Sequence, residues 1–213
     1  MAVGGIVGGV LGALSGLGNL PNFNPNGAGS LAKAGAGVAA AVLTNGPAAA
    51  DFCTGNMSNK AYPNQGLYTD GALKSLIQRQ FGSLAEGIGN VYANIAPPDH
   101  SLKDGYFIDK DGKKALGVHS NGDIYISPAA QHMGKETMMT TIVHELTHLK
   151  HFKLGLNRTT AYGKGQTEGA AYNSAKNYAL SKGWYCEASS ISDFLYMNAR
   201  FNPPEIEYPL LFK

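Results

Sequence analysis

The chain has 213 residues, a formal net charge of +2 and charged side chains at only 15%. That length suits one globular domain with a tail, or two small domains. So low a charge density, with the lysines scattered, excludes an electrostatic footprint for nucleic acid, and two cysteines are too few for a disulfide framework.

Residues 1–50 differ in character from the rest. The first charged side chain is Lys33, and Gly4, Gly8, Gly12 and Gly16 recur every four residues among Val3, Ile6, Val7, Val10, Leu11, Leu14 and Leu17. As a helix, residues 2–20 would carry a smooth glycine stripe open to close helix approach, and would be nearly long enough to span a bilayer. The stretch has no basic n-region, so an ordinary secretory signal does not fit. A turn-rich break over Pro21–Gly27 leads to a second Ala/Gly-rich stretch, Leu31–Leu43. Two readings stand side by side: an apolar leader for membrane contact or chaperone masking, and a flexible low-complexity segment with no such role.

Turn formers over 44–69, among them Asn45-Gly46-Pro47 and Pro63-Asn64, indicate linker and surface loop; 51–69 is taken as the linker, and a folded domain is expected over 70–213. Cys53 lies in that linker; it could pair with Cys186 in an oxidising compartment, or both could be free thiols. Asp70 is a helix cap for a segment running to Phe81, with Leu73, Leu76, Ile77 and Phe81 on one face. Residues 83–95 extend it weakly, and Pro97-Pro98 ends it. Tyr106–Asp109, Ala115–Val118 and Asp123–Ser127 are separated by Asp111-Gly112 and Asn121-Gly122, which predicts a three-stranded antiparallel meander. Ile124–Ser127 is the candidate edge strand for holding an extended peptide, with plain core packing as the alternative.

The next stretch carries chemistry. His144-Glu145-Leu146-Thr147-His148 is an H-E-x-x-H motif inside a helical apolar pattern formed by Met138, Met139, Ile142, Val143, Leu146, Leu149 and Phe152, with Gly155 as its stop. Residues i and i+4 share one helix face, so both imidazoles can point at one cation, and Glu145 is placed to take a proton from water activated there. A catalytic zinc takes three protein ligands. His151, three residues after His148, would crowd the pair and is expected at the surface or behind the ligands. Glu168 is the better third ligand: it follows His148 by twenty residues and opens a helix through Ala170, Ala171, Ala175, Tyr178 and Ala179. The alternative for Glu168 is a carboxylate simply favoured at a helix N-terminus. Leu154–Gly165 would make the connection as a glycine-rich loop.

These residues resemble the gluzincins, thermolysin-like zinc peptidases with H-E-x-x-H on one helix and a glutamate on the next. The resemblance covers roughly residues 105–183. It implies an α+β, zincin-like domain in which a short antiparallel meander precedes an H-E-x-x-H helix packed on a glutamate-bearing helix. It also implies one Zn2+ held by His144, His148 and Glu168, and Glu145 as general base. Ala171 and Tyr172 stand where the family has a serine and an aspartate that orients a ligand histidine. The expected activity is peptide-bond hydrolysis, with Tyr162, ahead of Tyr172, as donor to the oxyanion.

The short domain and glycine-rich leader also resemble bacterial metallopeptidase effectors delivered by contact-dependent, type VI-like secretion. That likeness implies a toxin secreted or delivered into a target cell, the periplasm included. Its partners would be a peptide or protein substrate, a secretion chaperone or spike protein, and a cognate immunity protein. Two rival functions are a membrane-inserting or pore-forming protein acting through residues 2–20, and a metal-binding interaction domain without turnover. At the C-terminus a helix is expected over Ser192–Phe201, broken at Asn202-Pro203-Pro204, with Pro209–Phe212 tied down on the domain.

Overall fold

The computed structural model describes residues 60–156 and 158–213. The glycine-rich stretch over 2–20, the second apolar stretch, and Cys53 with its pairing to Cys186 lie outside the described residues. Among the described residues no helix is long and apolar enough to cross a membrane.

The described domain is α+β, with five α-helices and two small sheets. Helix α1 (Asp70–Phe81) turns Leu73, Ile77 and Phe81 into the core. Its cap is Thr69, whose hydroxyl accepts the Ala72 N–H, and not Asp70. The Asp70 carboxylate instead accepts the Ala93 N–H at 2.8 Å, tying the start of α1 to the chain just beyond a strand. Residues 82–85 form a single 3-10 turn rather than a longer helical extension.

The expected meander is divided. Strands β1 (Val91–Tyr92), β2 (Ser101–Lys103), β3 (Tyr106–Ile108), β4 (Lys114–Ala115), β5 (Gly117–Ser120) and β6 (Asp123–Ile126) form two sheets, ordered β2-β3-β4 and β1-β6-β5. Both expected hairpins exist. Asn121 and Gly122 take φ of 50° and 92°, the left-handed pair that a two-residue hairpin turn requires. The middle strand breaks at Leu116, so each hairpin recruits a further strand, β2 on one side and β1 on the other. β1 runs parallel to β6, pairing Val91 with Ile124, so this sheet is mixed and not purely antiparallel. It also makes β6 the central strand, and Ile124–Ile126 cannot be the edge proposed for substrate pairing. Ile124 and Ile126 are core residues. The edge is β5.

After a short helix α2 (Pro128–His132), helix α3 (Lys135–Lys153) carries the H-E-x-x-H motif. Met138, Met139, Ile142, Val143, Leu146 and Leu149 are buried as the pattern predicts, but Phe152 is 48% exposed and lies against the His119 ring. Gly155 ends α3 with φ of 64°, and the bonds Gly155 N–H to Phe152 O and Leu156 N–H to His151 O complete a Schellman cap. Helix α4 (Ala161–Ser181) starts seven residues before Glu168, capped by Thr160, so Gly163 and Gly165 are helical rather than in a loop. The buried alanines 170, 171, 175 and 179 keep its packing surface low.

The small residues of α4 serve a second purpose. A Cβ on Gly165 would lie 2.6 Å from Arg200 O, and one on Gly169 2.6 Å from Phe201 O. Glycine lets the chain after helix α5 (Tyr185–Met197) cross α4 at backbone contact. That segment is then fastened in place: Gln166 bonds both Glu205 O and the Glu207 N–H, Lys150 donates to Leu210 O, and the Leu211 N–H donates to Ser174. Phe212 packs on Tyr178 and Phe81, so the C-terminal run is tied down on the domain as expected.

Candidate metal centre

Helical spacing puts His144 and His148 on one face of α3, and the close approach of α4 brings Glu168 opposite them. The two Nε2 atoms are 3.0 Å apart. Glu168 reaches His144 Nε2 at 3.4 Å and His148 Nε2 at 3.5 Å, one carboxylate oxygen to each. A tetrahedral cation with bonds of about 2.0–2.1 Å separates its ligand atoms by about 3.3 Å. Each of the three contacts is close to such an edge, with Glu168 meeting the two imidazoles through different oxygens. They form a group compatible with one metal ion.

The electrostatics of His148 and Glu168 suit a ligand set. Burial lowers the His148 pKa to about 3, which keeps the imidazole neutral as ligation demands. For Glu168 burial pushes the other way, but the two histidines outweigh it and hold the carboxyl ionised, well below its ordinary value. His144 is also buried, yet its hydrogen bond to Glu168 and the charge of Glu145 raise its pKa.

Glu145 lines the same cavity as the ligand atoms and reaches β5. Its carboxylate accepts the backbone N–H of His119, and burial raises its pKa to about 7. This position depends on Gly117: a Cβ there would fall 2.8 Å from Glu145 Oε1 and 2.7 Å from Thr141 Cγ2. Nothing in the hydrophobic pattern marks Gly117. Its signal is a glycine inside a strand, the usual mark of a close approach.

The donors open on a cavity of about 550 Å³. One wall is the chain from Lys114 to His119, and the opposite wall is α5, which contributes Glu187, Ile191 and Phe194. Arg158 closes one end, with Nη1 donating to His119 Nδ1 at 3.1 Å. The other nitrogen of that ring, Nε2, faces the Gly122 N–H at 3.2 Å. A neutral imidazole has one lone pair for these two donors. Burial first, and then the Arg158 charge, lower the His119 pKa to about 4. Arg158 thus meets at best a neutral partner, and among the described residues no carboxylate pairs with it. Neither Arg158 nor His119 was indicated by a motif.

One sequence expectation is corrected here, and another is decided between its two alternatives. Tyr162 does not reach the site: it is 58% exposed and its hydroxyl bonds Glu207. Because α4 starts at Ala161, Tyr162 is six helical residues from Glu168, roughly 120° away around the axis. Tyr172, four residues beyond Glu168, shares its face and packs against the His144 ring at 4.3 Å; burial raises its pKa. His151 is not at the surface. It is fully buried behind His148, with Nε2–H donating to Pro209 O at 3.0 Å.

Behind the ligands the arrangement is apolar where the gluzincin pattern has polar support. Tyr172 packs between His144, which it meets edge-on, and Phe194, instead of orienting a histidine by charge. The Nδ1 atoms of His148 and His151 are buried without a hydrogen-bond partner among the described residues. The ligands are held by ring packing and by the helices themselves. No protein-family model matches the chain, and no curated protein or solved structure is similar to it, so its own geometry is what bears on function.

Proposed function

We propose that this domain is a zinc-dependent peptide hydrolase of gluzincin type. The observation that carries the reading is the convergence of His144, His148 and Glu168 at tetrahedral-edge spacing, with a buried glutamate, Glu145, beside them on the same helix. Two imidazoles with one carboxylate suit zinc and not the all-oxygen preference of calcium or magnesium. Zinc bound there would polarise a carbonyl and acidify water.

The chain's own residues supply the rest. Glu145 takes a proton from the attacking water and delivers it to the leaving amine nitrogen. Arg158, in place of Tyr162, donates to the oxyanion: it lines the cavity without a carboxylate partner among the described residues, whereas Lys114, the other cation there, lies over the Tyr106 ring. Edge strand β5, in place of β6, holds the peptide. Leu116 O and the Ser127 N–H bond each other across the β5–β6 pair, so the alternate residues Gly117 and His119 turn their backbone groups outward. Glu145 takes the His119 N–H, which leaves Gly117 to pair with substrate. Delivery into a target cell, with a chaperone or spike protein and an immunity partner, belongs to the same proposal; the leader that would carry it lies outside the described residues.

Purified protein is expected to hold close to one zinc per chain by elemental analysis. It is expected to cleave members of a mixed peptide library, to stop with a chelator and to resume with added zinc. Protein refolded with zinc that retains none overturns the reading. Gly117→Ala gives a finer test. The added methyl must displace the Glu145 carboxylate or Thr141, so zinc content is expected to stay at the wild-type level. Steady-state kinetics should show kcat/KM lower by about a hundredfold, the loss typical of a catalytic group misplaced by about 1 Å.

A further inference from the structure

Resting on the peptide-hydrolase reading, we propose that Glu187 selects a lysine or arginine side chain on the substrate residue beside the scissile bond. Glu187 sits in the first turn of α5, on the cavity wall opposite β5. Its carboxylate is fixed from below by two hydroxyls of α3: Thr140 Oγ1 donates to Oε1 at 2.6 Å and Thr137 Oγ1 to Oε2 at 3.2 Å. Two oxygens offer about four acceptor positions, so roughly half stay open to the cavity. Among the described residues no lysine, arginine or histidine forms an ion pair with Glu187.

The location fits a side-chain subsite. Thr140 precedes His144 by one helical turn, about 6 Å along α3. An extended peptide advances about 3.3 Å per residue, so the carboxylate stands within one or two residues of the bond being cut. The surface leading to it is apolar, formed by Leu116, Met133 and Ile191, and would cover the aliphatic stem of a long basic side chain. The head would then reach a pre-oriented carboxylate. At the other end of the cavity Arg158 is cationic, and the two ends together set the orientation of a bound peptide. A carboxylate present only to staple α5 to α3 would be replaced by glutamine without a change in ligand preference, and this separates the two roles.

The test uses the full-length chain loaded with zinc, carrying Glu145→Gln so that bound peptide is not consumed. Binding of three fluorescent peptides, differing only in a central lysine, acetyl-lysine or norleucine, is measured by polarisation. The lysine peptide is expected to bind about ten- to a hundredfold more tightly than the other two. Adding Glu187→Gln is expected to collapse that ratio towards one, and Glu187→Asp to restore part of it. An equal affinity for lysine and acetyl-lysine overturns the proposal with Glu187 itself in place, even where Glu187→Gln does not fold. An undiminished ratio in a folded Glu187→Gln variant also overturns it. Separately, cleavage sites of the wild-type protein are mapped in a library. Cuts clustered beside lysine and arginine support the proposal. A lysine preference in binding with no cleavage of any peptide supports Glu187 as the basic subsite and overturns the hydrolase reading on its own.

Discussion

Glu145→Gln is expected to keep one zinc per chain and to lower kcat/KM by about 10²- to 10⁴-fold, the range removed with a positioned general base. The amide has the size of the carboxylate and can still accept the His119 backbone N–H, so the wall of the site need not move. It cannot take up a proton. The three ligand atoms belong to other residues, which is why metal content and turnover should separate. Zinc lost along with activity would make Glu145 a ligand instead, and unchanged turnover would place the base elsewhere. The pH profile adds a second readout. Burial lifts the Glu145 pKa to about 7 in the metal-free protein, and a bound cation would bring it down again. Activity needs the ionised form, so it should fall as pH drops, with the acid limb below 7.

The same substitution has a signature in stability. The raised pKa means that folded, metal-free protein holds this proton from the ordinary glutamate value up to about 7, while the unfolded chain has released it. Stability is therefore lost as pH rises through that window, because a charge is being forced into a buried place. Metal-free Glu145→Gln has no such charge and is expected to melt above metal-free wild type at pH 8. A group whose removal raises stability and abolishes turnover is one retained for chemistry.

The candidate metal site was legible because its information is local. Two histidines and a glutamate within one helical turn need only the 3.6-residue period to be placed, and the alanine run after Glu168 signals close packing without any knowledge of the sheet. The hairpins were legible for the same reason, since Asn121-Gly122 and Asp111-Gly112 dictate their own turns. What was hidden depends on distant partners. β1 and β2 are two and three residues long, too short for any alternation to show, and each exists through pairing with another strand. Without β1, β6 passes for an edge. Gly163 and Gly165 resemble turn residues in sequence, which shows that glycine is present but not that, at Gly165, Arg200 O stands where a Cβ would be. That misreading started α4 too late and pointed Tyr162 at a site it does not face. Arg158, His119 and Glu187 belong to no periodic pattern. Each acquires meaning only when β5 and α5 close on the two ends of the motif helix.

Zinc in excess is expected to raise the melting midpoint of the wild-type chain by about 8–16 °C, and that of Glu168→Gln by much less. A ligand that binds only the folded state at about a thousand times its Kd contributes about 4 kcal/mol, and in a protein of this size each kcal/mol moves the midpoint by about 2–4 °C. The effect should be large here because the donors already stand at ligand spacing, so little rearrangement offsets binding. Glutamine at position 168 removes the negative charge that balances the cation and leaves a weaker donor facing two neutral imidazoles. It also removes the partner that holds the histidines together without metal, so metal-free Glu168→Gln should itself be less stable than metal-free wild type, by about 1–3 kcal/mol. The decisive quantity is therefore the zinc-induced shift of each protein against its own metal-free form. Calcium and magnesium, which favour oxygen cages, should produce no comparable shift in either. An equal zinc shift in both proteins would remove Glu168 from the ligand set whatever the peptide assays show, because the measurement needs no substrate.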